Sequence, residues 1–363
     1  MTRVLVVDDS ALMRRLLGRL LTDQGEFEVA FARNGVEALA ALAAFRPEVI
    51  TLDVNMPDMD GLECLDRIMV ERPTPVVMLS AMTAEGASQS VEALALGAVD
   101  VLQKPEGPVS LEMNSLAPVL LAKIRAALGA RIRPTHRLAE RVRSLSGAAP
   151  LARRRKRPLA PAPMLADQVL PASDGLVVVG CSTGGPPALD ALLSPLPESF
   201  PWPIVVAQHM PAAFTGPLAR RLDGLCRLEV IEVARPTPLQ PGRVHVGRGE
   251  ADMVVSLKDG ALTARPVPPG RSYNWHPSVE RLVESAMASV PAERLIGVLM
   301  TGMGNDGAAS MTRLKAAGGW TLAEAEETAV VWGMPGELVK AGGASAVAPL
   351  HALAERLVAR AAK

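Results

Sequence analysis

Two groups of reactive side chains stand out along the chain, one acidic and one built around a serine. In the first third, Asp8 and Asp9 follow the apolar run Val4-Leu5-Val6-Val7, and Asp53 follows Val49-Ile50-Thr51-Leu52. Ser80 follows Val76-Val77-Met78-Leu79, and Lys104 ends the run Val99-Asp100-Val101-Leu102-Gln103. The uninterrupted apolar runs read as strands buried on both faces. Parallel neighbours would bring their carboxyl ends together, and like charges that close are costly unless a hard divalent cation shares them. Mg²⁺ accepts a few carboxylate and carbonyl oxygens and keeps waters. With a hydroxyl and an ammonium aimed at it, such a site suits phosphoryl transfer onto a carboxylate. One Asp at a strand end is commonly a helix N-cap. Five such residues at successive strand ends need another explanation.

The second group starts at Gly180-Cys181-Ser182-Thr183-Gly184-Gly185, between the strand-like Leu176–Val179 and the helix-compatible Pro186-Pro187-Ala188-Leu189. A serine in a tight, glycine-flanked strand-to-helix turn exposes its hydroxyl beside a helix N-terminus. The same segment also fits a phosphate-binding turn. A nucleophilic serine needs a base, and of the five histidines His209 is best placed, directly after Ile204-Val205-Val206-Ala207. His276, before a helix, is its rival, with helix entry or pocket lining as the plainer role. The base in turn needs a carboxylate to fix its tautomer. Asp306 meets that need from the glycine-rich loop Thr301-Gly302-Met303-Gly304-Asn305-Asp306-Gly307, after the strand-like Ile296–Met300.

These residues require strand ends to hold them. In the first third, helical patterns around Ala11–Leu20, Gly35–Phe45, Gly61–Val70 and Ser88–Leu96 alternate with the strands. Such alternation implies a parallel sheet with right-handed crossovers and ligands outside the strands' carboxyl ends. A second, doubly wound and mostly parallel α/β unit follows, with strands at Ile204–Ala207, Leu228–Val233, Arg243–Val246 and Met253–Leu257. Asp259-Gly260 suits the turn of a hairpin, and helices are expected at Ser278–Ser289 and His351–Ala362. Between the units, prolines and the block Arg153-Arg154-Arg155-Lys156-Arg157 read as a solvated, self-repelling linker, with an acidic-partner or nucleic-acid site as the other reading.

At 363 residues, 49% hydrophobic and 21% charged, the chain is long enough for two domains of ordinary soluble composition. The formal net charge of zero gives no whole-chain reason for nucleic-acid or membrane affinity. No apolar run reaches the ~18 residues of a spanning helix, and no signal peptide is evident. Three cysteines without metal-like spacing favour a reducing, cytoplasmic setting.

The set Asp8-Asp9, Asp53, Ser80, Lys104-Pro105, with Asn55-Met56-Pro57-Asp58-Met59-Asp60-Gly61, resembles the flavodoxin-like receiver domain of response regulators. That resemblance spans residues 1–122. It implies that Asp53 is phosphorylated and that Asp8, Asp9 and Asp53 hold Mg²⁺ with the Asn55 carbonyl. Ser80 would sense the phosphoryl group, Lys104 would pair with it, and a histidine kinase would donate it. Residues 123–172 are expected to be linker and 173–363 the catalytic domain. There, Gly180–Gly185, Gln208–Pro211, Pro277-Ser278-Val279, Thr301–Gly307 and Val331–Gly336 together resemble the chemotaxis protein-glutamate methylesterase family, CheB.

By that resemblance Ser182 attacks the γ-methyl ester of a glutamate on a chemoreceptor's cytoplasmic helices, His209 is the general base and Asp306 orients it. Thr183 lies beside the nucleophile, and the Met303 backbone N–H faces the oxyanion. The ester chemistry would need no cofactor, and the family also deamidates glutamine. Cys181 stands where the family usually has alanine and is expected to point away from the chemistry. His276 falls one position later than the family's commonest histidine, so no role is carried onto it. Two other readings stay open: a response regulator with this esterase output in a non-chemotactic pathway, and an esterase of small metabolites. A DNA-binding regulator has only the basic linker in its support.

Overall fold

The computed structural model describes residues 1–81, 83–104, 109–132, 175–258 and 260–362, of which 109–115 by backbone alone. The chain divides into two compact units, Met1–Ala148 and Ala149–Lys363.

The first unit alternates β1 (Thr2–Val7), α1 (Ala11–Thr22), β2 (Phe27–Ala32), α2 (Gly35–Phe45), β3 (Val49–Asp53), α3 (Gly61–Glu71), β4 (Val76–Ser80), α4 (Ala84–Leu96), β5 (Asp100–Gln103) and α5 (Val109–Leu128). All five strands are parallel, in the order β2-β1-β3-β4-β5. This is the flavodoxin-like order expected of a receiver, and the chain reverses its direction of winding between β1 and β3. Helix starts are set by side-chain caps: Ser10, Asn34, Asp60 and Thr83 each accept a backbone N–H of the first turn.

The expected domain boundary at residue 122 cuts a helix. Helix α5 runs on through Leu128 because its apolar period continues, with Leu120, Leu121, Ile124 and Ala127 all buried. The expected linker therefore loses residues 123–128 to the first unit, and most of the rest of it, including the basic block, lies outside the described residues.

The second unit holds β6 (Leu176–Cys181), α6 (Gly185–Leu193), β7 (Ile204–Gln208), α7 (Ala212–Leu225), β8 (Glu229–Val233), β9 (Thr237–Pro238), β10 (Arg243–Gly247), β11 (Asp252–Lys258), β12 (Ala261–Val267), α8 (Val279–Met287), β13 (Leu295–Leu299), α9 (Ala308–Ala316), β14 (Trp320–Glu324), α10 (Met334–Lys340), β15 (Ala346–Ala348) and α11 (Leu350–Ala361). Seven strands form a parallel sheet in the order β15-β14-β13-β6-β7-β10-β8. The hairpin β11–β12 pairs Lys258 with Ala261, Asp259 of the expected Asp-Gly turn lying outside the described residues, and β9 completes a small antiparallel sheet. The first strand, β6, lies between β7 and β13, so winding reverses beside it. That switch point, lined by the carboxyl ends of β13, β6 and β7, is where such a sheet opens a crevice. Among the described residues, no helix is long and apolar enough to cross a membrane.

Candidate active site and acidic cluster

In the first unit, the carboxyl ends of β1, β3 and β5 converge. One ligand atom each from Asp8, Asp9 and Asp53 lies within 4.8 Å of the others. Lys104 Nζ sits 2.8 Å from Asp8 Oδ2 and 2.7 Å from Asp53 Oδ2. Asp8 and Asp53 are buried while Asp9 is exposed, so the cluster opens to solvent on one side. Burial pushes the Asp53 carboxyl above its ordinary value, and the Lys104 ammonium offsets part of that. Burial alone would lower Lys104, but Asp53 and Asp8 hold its ammonium above the usual range. The structure thus brings together four of the expected residues. Ser80 is buried at the end of β4, but its hydroxyl donates to the Ala81 carbonyl at 3.2 Å rather than to a carboxylate. The Asn55 N–H approaches Asp53 Oδ1 at 3.5 Å.

In the second unit, the three candidates lie after three adjacent strands: Asp306 after β13, Ser182 after β6 and His209 after β7. The Ser182 turn is fixed through its backbone. Its N–H donates to the Thr301 carbonyl at 2.9 Å, and its carbonyl accepts from Gly185 N at 2.7 Å and Gln208 Nε2 at 3.0 Å. Gly184 has φ +77°, a left-handed conformation in which a Cβ would also meet the Val330 side chain. Helix α6 starts immediately after, so its N-terminal dipole faces the serine.

Among the described residues the His209 ring makes one hydrogen bond, from Nε2 to Asp306 Oδ2 at 2.8 Å. Its Nδ1 is buried and has no hydrogen-bond partner among the described residues. A carboxylate only accepts, so Nε2 carries the proton and Nδ1 the lone pair of the neutral ring. Asp306 is itself fixed by Ser278 Oγ at 3.1 Å and by the backbone N–H groups of Val279 at 2.7 Å and Glu280 at 3.0 Å. It therefore caps the N-terminus of α8. Glu280 returns the arrangement, accepting from Ala309 N and Ser310 N in the first turn of α9. Two helices brace the loop that carries the carboxylate.

Thr301, Ser278 and Gln208 carry no role in the sequence reading, although each lies in or beside a segment quoted there. Thr301 Oγ1 donates to the Thr183 carbonyl at 2.8 Å, and Val331 N donates to Thr301 Oγ1 at 3.0 Å. Gly333 N and Met334 N both donate to the Gly302 carbonyl, which docks the start of α10 on the glycine-rich loop. Met303 is half-buried in that loop and Thr183 is buried beside the serine. Cys181, expected to point away from the chemistry, is buried and engaged: its Sγ donates to Gln208 Oε1 at 3.1 Å, and burial pushes its thiol far up. The rival base, His276, is committed elsewhere, with Nδ1 2.8 Å from Asp252 Oδ1. His245 is a core residue whose ring burial holds down to about 4.

Gly302 leaves the room that the serine occupies. A Cβ there would fall 2.8 Å from Ser182 Cβ and against Met334 Sδ. Gly302→Ala should therefore displace the serine and lower ester hydrolysis by about 10- to 100-fold, since misplacing a reacting atom by an ångström is that costly. Steady-state rates and a thermal melt together check this. Activity within twofold of the parent would mean that the loop yields freely.

Comparison with known proteins assigns both units to families. Residues 4–114 match the response regulator receiver domain and residues 177–357 match the CheB methylesterase domain. The chain is 54% identical over 361 residues to protein-glutamate methylesterase/protein-glutamine glutaminase 2 of Rhodopseudomonas palustris, covering 99% of this chain and 98% of that one. It is 51% identical to protein-glutamate methylesterase/protein-glutamine glutaminase 3 of Rhodospirillum rubrum, covering 98% and 95%. A Vibrio cholerae protein of the same name and number is 40% identical over 343 residues, covering 93% and 90%.

Proposed function

The chain belongs to the CheB protein-glutamate methylesterase family, and we propose that Ser182, His209 and Asp306 form the triad with which it hydrolyses glutamate γ-methyl esters on chemoreceptors. One observation carries this assignment: the three side chains follow adjacent strands at the switch point, with His209 locked to Asp306 at 2.8 Å. Ser182 Oγ attacks the γ-carbonyl carbon while its proton passes to His209 Nδ1. The C=O electrons move onto oxygen, and the oxyanion is met by the Met303 backbone N–H and the N-terminus of α6. His209 returns the proton to the departing methoxide, releasing methanol and leaving an acyl-enzyme. Water, deprotonated by the same nitrogen, then attacks the acyl carbon, and Ser182 Oγ leaves with that proton, freeing the glutamate carboxylate and the serine hydroxyl. With a glutamine substrate the leaving group is ammonia, which fits the second activity in the relatives' names.

The receiver unit makes the hydrolase answer to a kinase. Asp53 accepts the phosphoryl group from a histidine kinase, Lys104 pairs with the added charge, and Ser80 turns toward it from its present bond to Ala81. Asp8, Asp9, Asp53 and the Asn55 carbonyl are a hard-oxygen set that suits Mg²⁺. Three carboxylates within 4.8 Å, with one ammonium shared between two of them, support that fit. When bound, the cation neutralises charge that builds up during phosphoryl transfer.

Purified chain incubated with receptor cytoplasmic fragments carrying labelled methyl esters should release volatile methanol, and release should rise on adding a phosphodonor with Mg²⁺. Brisk turnover of small esters without methanol from receptors would replace this reading with a metabolite esterase.

A further inference from the structure

The triad as described leaves one degree of freedom unaccounted for. A single hydrogen bond, His209 Nε2 to Asp306, fixes one point of the imidazole and leaves the ring free to turn about that contact. Nothing polar among the described residues holds Nδ1, yet a general base must present its lone pair within hydrogen-bond reach of the proton it takes. One further constraint comes from Trp275. Its indole lies parallel to the imidazole in an offset stack, with ring centroids 5.9 Å apart and planes 6° from parallel. The far edge of the same indole packs on Gly304, where a Cβ would come within 2.9 Å of Cζ2. Gly304 follows Met303, so one aromatic plate touches both the base and the oxyanion loop.

The plate is itself anchored. His276, the next residue, binds buried Asp252, which also takes Arg281 Nη1 at 2.7 Å and the backbone N–H groups of Ser278 and Gly270, each at 2.9 Å. The segment 270–278 is thus tied down on both sides of Trp275.

We propose that Trp275 is a positioning residue for His209, setting the plane of the base and bracing the oxyanion loop, with the Asp252–His276 pair holding the indole in register. This rests on the assignment of His209 as base. Hydrogen bonding to Asp306 sets the ring's distance and tautomer, and the stack sets its plane. The stack gains strength as the ring takes up a proton during turnover, because the face of an indole attracts a cation. Its effect should therefore fall on kcat, with substrate affinity little changed.

The test uses the full chain and a peptide bearing a glutamate γ-methyl ester, comparing Trp275→Phe with Trp275→Leu and with His209→Gln. The expected result is a roughly tenfold or greater loss of kcat in Trp275→Leu with KM within about threefold of the parent. Trp275→Phe, which keeps a flat ring, should stay within about threefold in both. Trp275 is half-buried in a loop; should Trp275→Leu fail to fold, Trp275→Met takes its place in the comparison. Leu and Phe variants that behave alike, or a loss confined to KM, would overturn the proposal and make Trp275 merely a wall of the substrate pocket. If His209→Gln itself remains active, the base assignment has failed, a separate outcome.

Discussion

Ser182→Ala is expected to lower ester hydrolysis by about 10³-fold or more, the scale on which removal of a triad nucleophile acts. The fold should not notice the change. The turn is held by backbone bonds, Ser182 N to Thr301 O and Gly185 N to Ser182 O. Those bonds survive removal of the hydroxyl. The chemistry cannot, because the adjacent cysteine is no substitute. Cys181 is fully buried, its Sγ is engaged by Gln208 Oε1, and burial disfavours its thiolate. Cys181→Ala should therefore keep most of the parent activity. His209→Gln and Asp306→Asn should also be severe, and a double variant with Ser182→Ala should be little worse than Ser182→Ala alone, since the three residues act as one unit. Purified Ser182→Ala retaining activity within tenfold of the parent would remove the assignment.

Why these candidates stand out in the sequence follows from where their residues sit. Ser182, His209, Asp306 and the acidic set all lie just past uninterrupted apolar runs, which a strand buried on both faces must have. Strands without that signature are not legible. Phe27–Ala32 is an edge strand with Phe31 exposed, and Trp320–Glu324 ends on the buried carboxylate of Glu324. Ala346–Ala348 is too short to show a period. Helix α4 starts at Ala84, earlier than its apolar pattern suggests, because Thr83 caps it and small residues fill its first turn.

Within the site, what the sequence conceals is mutual. Asp306 acquires its donors only when α8 packs against α9, and Trp275 meets His209 across dozens of residues of intervening chain. No local pattern announces either contact. The departures from the family pattern at Cys181 and Trp275-His276 are visible as letters. Their meaning, an inert thiol in one case and a stacked plate beside an anchored histidine in the other, needs the third dimension.

Asp53→Asn is expected to take up no phosphate above background from a small acyl phosphate under conditions that load the parent. On the proposed assignment, a carboxylate oxygen of Asp53 forms the new bond to phosphorus as the donor's carboxylate leaves, giving an acyl phosphate that hydroxylamine cleaves. An amide of the same shape offers no such nucleophile. The variant should still fold, because Lys104 keeps its 2.8 Å partner Asp8 when the 2.7 Å contact to Asp53 loses its charge. Losing one of two buried carboxylates also relieves the repulsion that helps to raise Asp53. Chelation of Mg²⁺ should silence loading of the parent without changing its unstimulated esterase rate, since the acidic cluster and the triad belong to different units. The same logic sets the functional outcome. With phosphodonor and Mg²⁺ present, the parent should demethylate receptors faster than without them, whereas Asp53→Asn should stay at its unstimulated rate. Hydroxylamine-labile phosphate at the parent's level in Asp53→Asn would move the acceptor to another carboxylate. Loss of loading with stimulation intact would mean that the donor acts on the hydrolase by a route other than this aspartate.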